Sequence, residues 1–464
     1  MPRRLTVLLL ALAAGAAAAR SHGRGHRHLR WRDEAGPNAS EIRASLDGLG
    51  KSDPAVCGAA VDRGIENWSI SGARRLQGEP PPSRFRRGAV KDPAAITALV
   101  EGLSAPQPCV RRAAALWLGG SEASEALSAL RTALKAPAPT VREAGAYGLG
   151  VHADGGGRTE LLAALGDARP EVAAMAAWAL GQSENPANTS ALVTALKHAD
   201  PSVRAAAAGA LASAEDPAAV QPLITRAKDS EASVREAVAD ALGSLEDTRA
   251  IPALVELGSD GSTEVRLSAL QALSRMEDPR GIDVARRSLK DSSAEVRLAA
   301  VGLLASVEDP RTLETLAGAL GDADPDVRAT AAQALGKLED VKAAPALSKA
   351  AKDPDPRVRA YAVDALGSLE ELGKAPAAVL DAAKDADREV RSTAAEALRS
   401  FRDDPAAARV LTTLAKDPDR QVRRSATESL VHLRTPEAMA ALRTALGDTD
   451  PQVRRAAARG LGRD

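Results

Sequence analysis

The side chains that most often ligate metals or perform acid–base and nucleophilic chemistry are scarce in this chain and poorly grouped. Three of the six histidines lie in the stretch Arg20–Arg32, and the others are His152, His198 and His432, at unrelated positions. Three close histidines can bind a metal ion, but nothing in that stretch would order them. Serine and aspartate are plentiful but occur where helices begin, and no nucleophile-elbow or phosphate-loop motif is present. We therefore expect no catalytic residue, no metal and no cofactor.

The chain has only two cysteines, Cys57 and Cys109. In an exported protein two cysteines can form one disulfide, which here would close an irregular segment ahead of a regular repeat. Equivalent residues of stacked helices lie about 8–10 Å apart, which is beyond disulfide reach unless the two are offset. Cys57 and Cys109 are therefore a disulfide candidate, with two free thiols as the alternative.

A valine–arginine pair recurs along the chain at intervals of 31 or 32 residues. One gap of 62 residues is filled by Val172-Ala173, which keeps the valine and loses the arginine. An aspartate precedes the valine by five residues in most copies, as Asp322 precedes Val327. Twelve copies in one register predict a single structural unit stacked along a line, which is a solenoid. A residue that serves one local binding site has no reason to recur in nearly every copy, so we interpret the arginine column as structural.

The elements of one copy can be predicted from residues 324–352. Asp324 is an N-cap candidate and Pro325 fits the first helical position. Glu339-Asp340 are expected to open the second helix, where acidic groups suit the helix dipole. The unit is therefore predicted to be a hairpin of about thirty residues with the valine–arginine helix first. Its apolar positions are Val327, Ala331, Ala334, Leu335 and Leu338 on the first helix and Ala344, Leu347 and Ala351 on the second.

The pattern D-x-D-P-x-V-R-x-x-A-x-x-A-L-G, found at residues 322–336, resembles the HEAT repeat family, and in particular its short HEAT-like repeats of the phycobilisome-lyase type. The resemblance covers roughly residue 92 to the C-terminus. It implies an all-α, right-handed α–α superhelix, here of about twelve helical hairpins plus a divergent N-terminal cap. It also implies that the second helices line the concave face and that the aspartate and arginine columns cross-link neighbouring repeats. Some relatives are hydroxylases that hold a di-iron centre on His-Glu pairs, and this sequence has no His-Glu dipeptide.

The N-terminal region differs from the repeats. Arg3-Arg4 followed by the apolar run from Leu5 to Ala19 is typical of a signal peptide of residues 1–19, and the run is too short for a comfortable membrane span. We expect the chain to be exported, periplasmic or secreted, without stable membrane insertion, the alternative being an uncleaved anchor. Residues 20–39 are expected to be a disordered basic tail rich in His and Arg. Residues 40–89 are expected to form a divergent capping repeat and a Pro-rich loop, and residues 90–464 the solenoid.

Aromatic residues make up only 2% of the chain, and three large apolar side chains occupy matching positions near its start. If each valine–arginine helix is numbered from its valine as zero, position six lies opposite the apolar stripe and should be exposed to solvent. Position six is Leu116, Tyr147 and Trp178 in the first three copies and small or polar afterwards. Stacking would place these residues side by side, with Met175 close by, and an exposed apolar cluster of this kind marks an interaction surface. The alternative is that the N-terminal segment covers it.

The acidic residues that hold position six in later copies are interpreted as a solvated helix face, with a polar recognition strip as the alternative. They are Asp240, Asp364, Glu396 and Glu428.

The bulk charge argues against a nucleic-acid partner, because a formal net charge of −1 gives no basic field. The sequence therefore predicts a monomeric, non-catalytic protein–protein interaction scaffold. Its protein partner would bind the concave face and the partner-binding residues Leu116, Tyr147, Met175 and Trp178. The alternative function is that of an auxiliary subunit in chromophore or metallocofactor attachment, as in lyase-type relatives.

Overall fold

The computed structural model describes residues 36–51, 90–152, 156–307, 309–433 and 435–462. Within these ranges every regular element is helical, which confirms the predicted all-α repeat solenoid. The predicted signal peptide, most of the basic tail and the Pro-rich loop lie outside the described residues, and so does Cys57.

Helix α1 (Ala39–Lys51) comes first, and long and short helices alternate after it. The short helices are α2 (Pro93–Gly102), α4 (Ser124–Ala133), α6 (Arg158–Ala164), α8 (Thr189–Ala195), α10 (Val220–Arg226), α12 (Ile251–Leu257), α14 (Ile282–Ser288), α16 (Leu313–Ala319), α18 (Ala344–Ala350), α20 (Ala377–Ala382), α22 (Pro405–Leu414) and α24 (Pro436–Ala445). The long helices, which carry the valine column, are α3 (Pro108–Gly119), α5 (Pro139–Val151), α7 (Pro170–Gly181), α9 (Pro201–Ser213), α11 (Ala232–Leu245), α13 (Thr263–Met276), α15 (Ala294–Ser306), α17 (Pro325–Lys337), α19 (Pro356–Ser368), α21 (Arg388–Ala397), α23 (Arg420–Leu433) and α25 (Pro451–Gly460).

The structural hairpin consists of a short helix and the long helix that follows it. In most repeats a short helix packs extensively on the next long helix and only lightly on the preceding one, as α18 does with α19 and α17. The arginine of the long helix closes this hairpin, because Nη1 of Arg359 donates to the carbonyls of Asp353 (2.9 Å) and Pro354 (3.1 Å) in the connecting loop. The prediction that the valine–arginine helix comes first in the hairpin is therefore wrong. By the corrected pairing the described residues contain twelve hairpins, from α2–α3 to α24–α25.

The predicted helix start at Asp324 is confirmed. Its Oδ1 accepts hydrogen bonds from the backbone N–H groups of Asp326 (2.8 Å) and Val327 (3.4 Å), and Pro325 occupies the first turn. These bonds satisfy two of the N–H groups that a helix leaves without a partner at its start. The same cap recurs in other copies, for example at Asp387 and Asp450.

The long helices of several repeats end in a left-handed glutamate. Glu339 has φ 51°, and Glu246 and Glu277 have almost the same value. The expectation that Glu339 opens the second helix is wrong, because this residue ends the long helix in the conformation that usually selects glycine. Asp340 alone caps the following turn, accepting from the backbone N–H of Lys342 at 2.9 Å.

Small side chains allow neighbouring long helices to approach closely. A Cβ at Gly336 of α17 would lie 2.8 Å from the Cβ of Ala365 on α19, and one at Gly181 of α7 would lie 2.7 Å from the Cα of Ala210 on α9. Short helices of successive hairpins touch far less. Each repeat therefore contributes a long helix to a tight layer and a short helix to a looser one.

The chain divides into two compact units, one ending at Ala219 and the other beginning at Val220. In the first unit, α1 packs on α2 and α3 and buries Ile42, Leu46 and Leu49. Each unit has its own apolar core, made mainly of the alanine, leucine and valine side chains of the repeats.

Candidate functional site

Three successive long helices of the first unit contribute one layer each to a side-chain stack. The rings of Tyr147 on α5 and Trp178 on α7 lie 5.3 Å apart between centroids, with an interplanar angle of 17°. The guanidinium carbon of Arg112 on α3 lies 5.0 Å from the centroid of Tyr147. Stacked rings and a cation over a ring face are both attractive geometries. The stack, Arg112–Tyr147–Trp178, therefore fixes the orientation of the Trp178 side chain.

The prediction that position six is exposed is wrong for Tyr147, whose relative exposure is 5%. Arg112 and Trp178 cover the two faces of the Tyr147 ring. The position numbering describes one helix at a time and takes no account of side chains from neighbouring helices. Leu116, Met175 and Trp178 are half-buried, so each presents part of its surface to solvent. Gly150 makes room for the stack, because a Cβ there would lie 2.7 Å from Cζ3 of Trp178.

A half-buried carboxyl group lies near the charged end of the stack. Burial raises the pKa of Glu143 on α5, and Glu171 adds to the rise, while Arg111 and Arg112 oppose it. The surface around the rings therefore combines apolar area with desolvated charges of both signs.

The arginine column forms a ladder of ion pairs between successive repeats, which confirms its structural role. Nε and Nη2 of Arg328 donate to Oδ2 and Oδ1 of Asp353 in the next repeat, at 2.7 and 2.8 Å. Oδ1 of Asp353 also accepts from the backbone N–H of Asp355 at 2.9 Å. Only 12% and 9% of the two side chains are exposed. Each arginine–aspartate pair of the ladder, which we call a rung, is therefore a charge-assisted, bidentate and largely buried contact. Equivalent rungs join Arg142–Asp167, Arg235–Asp260, Arg266–Asp291, Arg297–Asp322, Arg359–Asp385, Arg391–Asp417 and Arg423–Asp448.

The ladder shifts the titration of its aspartates. The hydrogen-bonded guanidinium of Arg235 holds the pKa of Asp260 below its ordinary value, and Arg142 does the same to Asp167. These carboxylates are consequently ionised over the whole physiological pH range.

Two rungs are altered in the first unit, beside the stack. Ala136 stands at the aspartate position that would face Arg111. In the copy that bears Trp178, Ala173 replaces the arginine and His198 replaces its aspartate. Nδ1 of His198 accepts from the backbone N–H of Asp200 at 3.0 Å, as an aspartate oxygen does in other repeats. The turn is therefore kept while both charges of the rung are absent.

One exposed aromatic residue was missed by the sequence reasoning. Tyr361 on α19 is 42% exposed, and it occupies position three of its helix. Positions three and six lie on the same side of a helix, so a large side chain at position three is also a candidate for exposure.

An open groove of about 890 Å³ lies on the short-helix side of the first unit. It runs between α2 and α4, and Val100, with 38% of its surface exposed, contributes to its lining. Leu103, Ala129, Pro137 and Val141 supply further apolar surface.

Cys109 is half-buried in the first turn of α3. Its candidate partner Cys57 lies outside the described residues, so the bridge stays a prediction. Intact mass before and after reduction tests it, and two free thiols in exported protein would contradict it.

Across the described ranges, no group of three or more His, Cys, Asp and Glu side chains is placed to hold a metal ion. No helix in the same ranges is long and apolar enough to cross a membrane.

Comparison with known proteins assigns the family. A model of HEAT repeats matches residues 87–151, 159–243, 220–294, 285–367, 346–431 and 410–463, which together cover most of the chain. The chain belongs to the HEAT repeat family. No curated protein matches this HEAT repeat chain.

Solved structures similar to this HEAT repeat chain include importin β, at a TM-score of 0.61 and 14% identity over 92% of this chain and 69% of that one. Kap95p, from a study of its binding to RanGDP, is similar at a TM-score of 0.56 and 15% identity, over 91% of this chain and 65% of that one. The CpcE–CpcF complex of phycocyanin lyase from Nostoc sp. PCC7120 is 25% identical over 45% of this chain and 86% of that chain, at a TM-score of 0.31. The importin-type likenesses show the fold alone, and this chain spans about two thirds of their length.

Proposed function

We propose that this HEAT repeat chain is an exported, non-catalytic scaffold that binds a protein partner through the long helices of its first unit. The binding surface centres on Trp178 and Met175 of α7 and extends across α5 to Leu116 of α3, and Tyr147 acts as the buried support of Trp178. The Arg112–Tyr147–Trp178 stack is the observation that carries the proposal, because it holds a half-exposed tryptophan rigidly in place.

The physical argument rests on the energetics of protein interfaces. A tryptophan already fixed by a stacked neighbour loses little conformational entropy when a partner covers it. Partly exposed tryptophans of this kind carry much of the binding energy in many interfaces. The half-buried Glu143 and the arginines around it would supply the polar rim.

The long-helix layer is the better candidate for the concave side within each unit. Neighbouring long helices approach closely through alanine and glycine, whereas short helices touch little. A row of helical hairpins curves toward the layer in which neighbouring helices lie closer together. In the corrected hairpin the long helix is the second helix, so the expectation that second helices line the concave face is kept as a proposal and now assigns that face to the long helices.

A solved relative shows that this fold can serve a protein ligand, since Kap95p binds RanGDP. The likeness supports a scaffold function for this fold in general.

Affinity capture from the exported fraction, followed by mass spectrometry, tests the proposal. Trp178→Ser combined with Met175→Ser should abolish capture of a partner that the unaltered chain retains, with no change in helical circular dichroism. The matched control is Gln333→Ser, which changes position six of α17 in the second unit. Capture of the same partner by the Trp178 variant would contradict the proposal.

Tyr147 requires a different pair of variants because it is buried. Tyr147→Phe keeps both ring contacts and should retain capture, whereas Tyr147→Ser removes the support of Trp178 and should weaken capture and stability together. The auxiliary-subunit alternative is tested by the absorbance spectrum of the purified chain, where a bound chromophore or metallocofactor should show visible bands.

A further inference from the structure

One arginine of the column keeps the pose of a rung but faces no aspartate. Nη1 of Arg111 donates to the carbonyls of Ala105 and Pro106, both at 2.8 Å. The arginines of complete rungs donate to the same two positions of their own loops, as Arg328 does. The residue at the aspartate position opposite Arg111 is Ala136, whose side chain carries no carboxylate. Arg111 is therefore oriented for a bidentate partner that the sequence does not supply at this position.

The alanine leaves a set of hydrogen-bond donors around one point. In the rung of Arg328, Nε, Nη2 and the backbone N–H of Asp355 all donate to the carboxylate of Asp353. The equivalent donors are Nε and Nη2 of Arg111 and the backbone N–H of Ala138, and we call this set the half-rung. Among the described residues none of these three donors has a hydrogen-bond acceptor. A carboxylate is the group that fits, because eight complete rungs hold one with the same guanidinium fork.

The half-rung opens into the groove between α2 and α4. Ala136 and Pro137, in the loop after α4, line that groove together with Val141 of α5. Val141 is partly exposed, whereas the other valines of its column are buried in the described part of the chain. Nη1 of Arg142 donates to the carbonyls of Ala136 (3.0 Å) and Pro137 (2.8 Å), which fixes this loop. The half-rung is therefore a pre-organised site that a ligand can reach from solvent.

Charge is distributed unevenly along the groove. Lys135 lies at the end that borders the half-rung, and it forms no ion pair among the described residues. Glu125 lies in the first turn of α4, about 15 Å away along the helix axis. Val100, Leu103 and Ala129 supply apolar surface along the groove. The charges therefore favour a ligand whose carboxylate lies at the half-rung and whose apolar groups extend along α4.

We propose that the groove binds an extended acidic segment of a partner protein, whose aspartate or glutamate carboxylate pairs with Arg111. Apolar side chains next to that carboxylate pack on Val100 and Leu103. A stretch of five extended residues spans about 16–18 Å, which matches the length of the groove along α4. The groove lies apart from the Trp178 surface, so this inference goes beyond the scaffold proposal and does not rest on it.

The first experiment measures the preference for a carboxylate. An array of decapeptides with a central aspartate between apolar residues, each beside its asparagine counterpart, is probed with the full chain, and affinities are then measured by fluorescence anisotropy. The unaltered chain should bind the selected aspartate peptides about tenfold more tightly than their asparagine counterparts, because the fork forms charge-assisted bonds only with the carboxylate. Arg111→Gln should bind both forms equally. Arg357→Gln, which changes an exposed arginine of the second unit, is the control and should keep the preference.

The second experiment supplies the carboxylate from the chain itself. Ala136→Asp places an aspartate where complete rungs have one, so it should pair with Arg111, raise the urea midpoint of unfolding and abolish the preference for aspartate peptides. Ala136→Ser, which is polar, uncharged and shorter, is the matched control and should retain the preference. Arg111 is present in both variants, so a loss in Ala136→Asp alone locates the binding position at the half-rung.

Three results would overturn the proposal. The first is that no array peptide binds the unaltered chain, as would happen if residues 52–89 of the chain itself filled the groove. The second is equal binding of the aspartate and asparagine forms, and the third is a gain of stability in Ala136→Asp without loss of peptide binding. Displacement of the peptide by an equal concentration of acetate would also count against it, because the apolar groove would then contribute nothing. Trp178→Ser with Met175→Ser should leave peptide binding unchanged, which separates this inference from the scaffold proposal.

Discussion

The rung of the ladder is the strongest polar contact of the repeat at the scale of single residues. Arg328 donates two parallel hydrogen bonds to Asp353, and its Nη1 donates to two loop carbonyls of its own hairpin, those of Asp322 and Ala323. Lysine offers a single point charge and cannot reproduce this fork. The Arg328 guanidinium therefore links the loop before α17 to the loop after α18 through several directed hydrogen bonds, which a single point charge could not provide.

We expect Arg328→Lys to lower the free energy of unfolding by about 2 kcal/mol, because a largely buried carboxylate would lose a bidentate partner. Urea unfolding followed by circular dichroism measures the change. The control is Arg357→Lys, which alters an exposed pair with Asp326 and should cost less than about 1 kcal/mol. Equal losses in the two variants would show that the rung is no stronger than a surface pair.

The ladder also predicts how stability depends on pH. Arg235 lowers the pKa of Asp260 in the folded state, so the rung contributes stability at pH values above the unfolded pKa of about 4. That contribution is lost as the pH falls through the folded pKa. The unaltered chain should therefore lose stability between pH 5 and 2 more steeply than Asp260→Asn, as measured by urea unfolding at several pH values. Parallel pH profiles would contradict this origin of the acid sensitivity.

Residue roles that follow from repetition could be predicted from the sequence, and those that depend on a neighbour could not. The Asp324 cap and the arginine column are visible because many copies share them. Tyr147 was placed on an exposed position because its own helix leaves it outward, yet Arg112 and Trp178 from adjacent helices cover it. Tyr361 is the one aromatic residue at position three of the twelve copies, where the others carry Met175 or a small residue, so no aromatic column drew attention to it.

At the scale of elements, the sequence predicts the length of the repeat but not which two successive helices form the hairpin. A period of 31 residues can be divided at either of two loops, and only packing decides which division forms the hairpin. The loop after α18 is closed by Arg359 and joins packed partners, whereas the connection after α17 contains left-handed Glu339. Sequence patterns mark both loops with similar polar residues, and for that reason the predicted hairpin was displaced by one helix.

The left-handed glutamates give a prediction at the same scale. Glu246 has φ 49° and an exposed side chain, and a left-handed conformation costs about 1 kcal/mol for residues other than glycine and asparagine. Glu246→Asn should therefore raise the midpoint of thermal unfolding slightly, and combining it with Glu277→Asn should roughly double the gain. Glu246→Gln, which removes the charge without favouring the left-handed conformation, is the control. A loss of stability in the two turn variants would show that the glutamates make a favourable contribution that outweighs the strain.

At the scale of the whole molecule, rungs are unevenly distributed among the described residues. Seven rungs lie entirely in the second unit, from Arg235–Asp260 to Arg423–Asp448. Within the first unit, Arg142–Asp167 is the rung formed among the described residues, and the copy with Ala173 and His198 lacks both charges. The proposed partner surface around Trp178 thus lies in the unit with fewer cross-links.

This distribution predicts that the first unit opens more readily than the second. Amide hydrogens of α5 and α7 should exchange faster than those of α15 and α17 in native-state hydrogen exchange followed by mass spectrometry. Ala173→Arg together with His198→Asp should restore the rung and slow exchange in α7. Each single change would introduce a charge without its partner, so the two should be favourable only in combination, which a double-mutant cycle measures. Additive effects, or equal exchange in the two units, would contradict the prediction.

The geometry of the rung also bears on how such a chain can lengthen. Most repeats supply one arginine toward the repeat after them and one aspartate toward the repeat before them, 25 or 26 residues apart as in Arg328–Asp353 and Arg359–Asp385. A duplicated repeat therefore brings a donor and an acceptor together, and both find partners in the copies on either side. Tandem duplication of the gene segment can add a repeat without leaving a buried charge unpaired, and the joint replacement at Ala173 and His198 obeys the same condition. Selection could thus change the length of the scaffold in whole repeats while each added arginine and aspartate finds a partner.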